Sequence, residues 1–164
     1  AGSITIAGAA GAVSFAGSDT TERTTTSTTS VTLSTITVTS IPTTSGVEIL
    51  IPWRKLSGGG SNSVSLGVTF NATVITAPGL VSSTLNENRT GFVRIYIPPY
   101  DTVYLGGQGL SHGTGNEAVV VGGMIDPNAR PNAAVTTVLI TGLVSNAAAT
   151  LSIKNVMVYA VAGS

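Results

Sequence analysis

The sequence predicts an all-β fold: a single jelly-roll-like β-sandwich with an extended N-terminal strand. Three observations predict it. Apolar residues recur at period two, as in Val64, Leu66, Val68 and Phe70, which alternate with Ser65, Gly67 and Thr69. That alternation buries one face of a strand and wets the other. Val, Ile and Thr dominate the periodic segments, and their stiff branched side chains favour strands over helices. Clusters of Gly, Pro, Asn and Ser separate the segments at short intervals, and no helical spacing with capping signals is present.

Taken in order, strands are expected near 3–7, 12–16, 31–41, 46–52, 63–76, 80–85, 92–97, 101–105, 118–122, 135–143 and 150–161, with some merging. Turns are expected at Thr43–Gly46, Ser57–Ser63, Pro78–Gly79, Asn86–Gly91, Pro98–Pro99 and Asp126–Pro131. In segment 31–41 the apolar parity changes between Leu33 and Ile36, which predicts a bulge or a strand changing sheets. Leu151, Ile153, Met157, Tyr159 and Val161 share one parity across Asn155. The Gly-rich stretch 106–133 reads as a long loop. Two parts are expected: residues 1–30, an N-terminal strand with a hydroxyl-rich linker, and residues 31–164, the sandwich.

Composition narrows the function. The 164 residues hold seven basic and seven acidic side chains, so charged residues are only 9% and the formal net charge is +0. Soluble domains carry about 25% charged residues. Thr (25) and Ser (18) supply the polar surface instead. A neutral chain with scattered cations lacks the basic footprint of a nucleic-acid binder. No apolar run approaches the roughly 18 residues of a membrane span. With no Cys, disulfide scaffolds, thiolate metal sites and cysteine nucleophiles are excluded. Ala1 is the kind of residue that leader cleavage leaves, so an extracellular or cell-surface location is expected, with a virion as the alternative.

No catalytic constellation emerges, so no enzyme activity and no cofactor are expected. His112 is the single histidine, and its neighbours Ser111 and Glu117 sit in the same Gly-rich stretch rather than on separate elements. A glycosidase needs two facing carboxylates. Seven acids are present, but nothing selects a pair. Glu48 falls on an outer face, and Glu22 with Arg23 and Glu87 with Arg89 read as local surface pairs. Gly106–Gly115 lacks the Gly-Lys-Ser/Thr ending of a phosphate loop. Asp126-Pro127-Asn128 offers oxygen ligands for calcium without the acidic spacing of an EF-hand. Asn71 and Asn88 head N-glycosylation sequons, with Asn88 in an expected turn. Trp53, Tyr96, Tyr100 and Tyr104 could either stack sugars or fill core and interface.

Low charge points to self-association. Subunit contacts between hydroxyl-bearing surfaces satisfy hydrogen bonds without desolvating ions. The N-terminus offers a route. A short alternating strand, carrying Ile4, Ile6, Val13 and Phe15, precedes the flexible stretch Thr20–Thr29 and can complete a neighbour's open sheet. Head-to-tail donation gives a filament or tube. The alternative is that residues 3–16 form an edge strand of their own domain.

The lead-in Thr24-Thr25-Thr26-Ser27-Thr28-Thr29-Ser30, the strand Val31–Val38 and the closing strand Leu151–Val161 resemble secreted archaeal jelly-roll filament subunits, the thread and bundling-pilus proteins. The resemblance implies a non-enzymatic building block of a homopolymer, with Ile4, Ile6, Val13 and Phe15 as donor residues and copies of itself as partner. It implies no nucleic acid, membrane span or small-molecule substrate. Jelly-roll capsid or decoration proteins share the style, and a carbohydrate-binding module is a further alternative.

Overall fold

The computed structural model describes residues 12–56, 62–76, 88–99, 106–113, 118–120 and 130–162, the two segments 106–113 and 118–120 by backbone alone. These form twelve strands: β1 (Val13–Asp19), β2 (Arg23–Thr25), β3 (Val31–Ile41), β4 (Gly46–Leu56), β5 (Val64–Phe70), β6 (Thr73–Thr76), β7 (Arg89–Ile97), β8 (Gly106–Gly113), β9 (Ala118–Val120), β10 (Val135–Val144), β11 (Thr150–Ile153) and β12 (Val156–Val161). The expected strands 3–7, 80–85 and 101–105 lie outside the described residues.

The larger sheet runs β1-β12-β4-β7-β8-β9, with β2-β11 joined to the other end of β4; the smaller runs β3-β10-β5-β6. All described pairings are antiparallel. The chain repeatedly crosses between sheets: β3 lies in the small one, β4 in the large, β5 and β6 in the small, β7 in the large, β10 in the small. Such crossings make the sandwich jelly-roll-like.

The period-two pattern becomes the core. Val47, Ile49, Ile51 and Trp53 of β4 and Val93, Ile95 and Ile97 of β7 face Val64, Leu66, Val68 and Phe70 of β5 and Val138 and Ile140 of β10, all buried. Lys55 occupies the next inward position on β4 and is fully buried. Its Nζ donates to the backbone oxygen of Asn62 at 2.8 Å. Arg130, also buried, donates to the carbonyls of Pro98 and Pro42, fastening the β3–β4 turn to the end of β7.

The bulge expected in 31–41 is present. Ile140 pairs with Ser34 and Thr141 with Thr32, so Leu33 is the extra residue, and Leu33 and Ser34 are both buried. Five expectations need correction. The stretch Thr20–Thr29 holds a strand, β2, because Arg23–Thr25 pair with β11. The expected turn Asn86–Gly91 is already strand from Arg89, paired with β4. Segment 63–76 is a hairpin, turned at Asn71 with φ 52°, rather than one strand. Segment 150–161 breaks at Asn155, whose φ of 57° resets the parity; Val156 and Val158 face the core, and Met157 and Tyr159 do not. The stretch 106–133 contains β8 and β9. A glycine-rich strand has little intrinsic preference for extension, and the ladder to β7 supplies it.

Candidate assembly surface

β1 is an edge strand. Its partner is β12, from Val13↔Val161 through Phe15↔Tyr159 to Asp19↔Val156, with a register shift between Phe15 and Gly17. Ala16 on the inner side is buried, while Val13 and Phe15 are 56% and 61% exposed. The Phe15 ring meets Tyr159 edge-on, centroids 6.0 Å apart at 78°. Gly17 lets β1 close on the small sheet, because a Cβ there would lie 2.9 Å from the Thr37 carbonyl oxygen. The far end of β1 is fixed by Asp19, which accepts from Ser34 Oγ at 2.6 Å, Thr21 N at 2.9 Å and Arg23 Nε at 3.1 Å. The Ser34 hydroxyl above all, with Thr21 and Arg23, lowers the Asp19 pKa to about 2.

The outward face of the large sheet extends from this edge. Register aligns Phe15, Tyr159, Glu48 and Tyr96 in one row across four strands. Met157, Leu50 and Arg94 form the next row, and Pro52 and Phe92 another. Tyr96 lies over Gly46, where a Cβ would meet its ring at 2.6 Å. Tyr96 and Phe92 are 37% and 41% exposed. Within this apolar field sits one forked ion pair, Arg94 Nε to Glu48 Oε1 at 2.7 Å and Nη2 to Oε2 at 3.1 Å. Glu48 raises the Arg94 pKa by accepting these bonds. Exposed aromatics grouped on one face are the mark of an interaction surface rather than of scattered apolar residues.

The remaining candidates fall as follows. Ile4 and Ile6 lie outside the described residues, as do Glu87, Tyr100, Tyr104, Glu117 and Asp126. Val13 and Phe15 pair within their own chain. Glu48 is on the outer face as expected. Glu22 bonds Arg54 rather than Arg23, and Arg23 bonds Asp19. Trp53 is a core residue, 4% exposed, and so offers no open ring for stacking. Asn88 is exposed just before β7. Asn71 Oδ1 accepts from Thr136 N and Oγ1 and from Thr137 N, while its Nδ2 donates to the Ala134 carbonyl. His112 lies opposite Thr90 on β8. Among the described residues no cluster of three His, Asp or Glu side chains could hold a metal, and no helix is long and apolar enough to cross a membrane.

No sequence-family profile and no curated protein matches the chain. Among solved structures it is similar to a chain of infectious bursal virus derived T=1 particles, at 9% identity and TM-score 0.47, covering 93% of this chain and 32% of that one. The infectious bursal disease virus VP2 subviral particle gives 8% identity, TM-score 0.43 and coverages of 93% and 33%. The CBM2 module of the evolved Dit of Lactobacillus casei BL23 phage J-1 gives 7%, 0.33, and coverages of 79% and 70%. This chain thus spans about a third of the length of the viral chains. At these scores function rests on the chain's own residues.

Proposed function

We propose that the protein is a structural subunit of an extracellular homopolymer, a filament, pilus or tube, assembled by β-strand donation between neighbours. The observation that carries this reading is the edge strand β1, which leaves Val13 and Phe15 more than half exposed at the border of an apolar sheet face. Burying a large apolar side chain stabilises an interface by about 1.5–3 kcal/mol. A swapped β1–β12 pairing exchanges one set of contacts for an identical set, so the driving force would come from a neighbouring subunit covering these exposed residues on the apolar face. Pairing of β1 within its own chain is compatible with donation. The Phe15↔Tyr159 register is equally available to the same strand of a neighbour, as in domain swapping. The short connection 20–22 between β1 and β2 is where the chain would redirect. Ile4 and Ile6 would extend the donated strand, and low charge suits close subunit packing.

Deletion of residues 1–17 tests the reading. The full chain should form polymers under negative-stain electron microscopy, unaffected by nuclease, and the truncated chain should not. Normal assembly of the truncated chain would refute donation. Closed shells enclosing nucleic acid would instead establish the alternative, a jelly-roll capsid or decoration protein.

A further inference from the structure

Where the edge strand breaks between β1 and β2 and its neighbour breaks between β11 and β12, the large sheet opens into a groove of about 310 Å³. Glu22, Pro52, Trp53, Arg54, Ser152 and Lys154 are among its lining residues. Ser152 is 4% exposed, and its Oγ is buried with no hydrogen-bond partner among the described residues. Leaving such a group unsatisfied costs about 1–3 kcal/mol. Ser152 alternates with the core residues Leu151 and Ile153 and pairs with Arg54, so its hydroxyl belongs to the outer side of the sheet. Arg54 is held beside the groove by Glu22, Nη2 to Oε1 at 3.3 Å.

We propose that this groove binds a small hydroxyl-bearing carboxylate, a sugar acid being the representative. A carboxylate is an acceptor-only group, and the groove is rich in donors: the Ser152 hydroxyl, the Lys154 ammonium and the remaining N–H groups of Arg54. Two cations against one carboxylate leave one net positive charge, which a monoanion neutralises and a phosphate dianion would overfill. Glu22 supplies the acceptor for ligand hydroxyls, and the Pro52 ring gives an apolar wall. The volume lies at the lower end of the roughly 300–1,000 Å³ of small-molecule sites. This site is independent of the assembly reading.

Trp53 is the single tryptophan and borders the groove from its core side, so its emission responds to what occupies the groove in the full chain, assembled or dispersed. Titration with sodium glucuronate should give a saturable change in emission, and glucose, which lacks the carboxylate, should give none. Ser152→Ala removes a hydroxyl that has no partner among the described residues, so the fold and its melting temperature should hold while half-saturation moves up about tenfold or more, the value of a charge-assisted hydrogen bond. Lys154→Gln, a change at an exposed position, should also weaken binding. No response to glucuronate, an equal response to glucose, or wild-type affinity in both variants would overturn the proposal.

Discussion

The Ser34 hydroxyl donates a 2.6 Å hydrogen bond to Asp19 Oδ2, joining the end of the N-terminal edge strand to the bulge of the opposite sheet. Ser34 is available only because the bulge turns two consecutive residues inward. Asp19 is therefore the latch of β1. Its carboxylate is held at a pKa of about 2 against an ordinary 3.8. A depressed folded-state pKa contributes stability that is present above the unfolded value and lost as pH falls through the folded one. Asp19→Asn should cost on the order of 1–2 kcal/mol at pH 7, and the deficit should shrink as pH falls from about 4 to 2. Thermal melts of both proteins across that range check it.

Phe15→Asp separates assembly from folding. The side chain is 61% exposed in the single chain, so stability should change by about 0.5 kcal/mol at most beyond the loss of the Tyr159 contact. Polymer formation should fall sharply, because a charge then sits in the apolar face. Light scattering beside a denaturant melt reads both quantities.

Gly17→Val places branched carbon where even a Cβ lies 2.9 Å from a backbone oxygen. The strand cannot close on β3, and the expected cost is about 1–3 kcal/mol. Hydrogen exchange should show lost protection in β1 and β12 first, while β5 and β10 keep theirs.

Asn71→Ala should destabilise by about 2–3 kcal/mol, since it removes a set of local hydrogen bonds and leaves a left-handed backbone position to a residue with a Cβ penalty. Peptide mapping of native material should find any glycan at the exposed Asn88 rather than at Asn71, which is half-buried.

Much of the fold was legible because its signals are local. Strand 31–41 came out at its observed limits, and its bulge followed from the parity change at Leu33. The inward residues of β5 and β7 followed from strict alternation. Other features were hidden for physical reasons. Asn155 in the left-handed region resets parity without leaving a mark in the apolar pattern. β8 depends on a ladder to β7 that glycines do not advertise. The run Ile49 to Trp53 hides Leu50 on the outer face, because an unbroken apolar stretch carries no parity of its own and Glu48 alone marks it. The Glu22–Arg54 bond spans 32 positions and exists only because β2, β11 and β4 lie side by side. Of the donor residues, the outward placement of Val13 and Phe15 rests on the β1–β12 register rather than on their sequence.

Strand donation is tested most directly by a covalent trap. The chain contains no cysteine, and Phe15 and Tyr159 are register partners on β1 and β12. Directly opposed antiparallel residues have Cα atoms about 4.5–5.5 Å apart, within disulfide reach. A double variant, Phe15→Cys with Tyr159→Cys, should be oxidised after polymerisation and run on a denaturing, non-reducing gel. Donation predicts a ladder of linked chains that collapses to one band on reduction. A single band of internally bridged monomer from fully polymerised material would show that β1 stays at home, and would contradict the account.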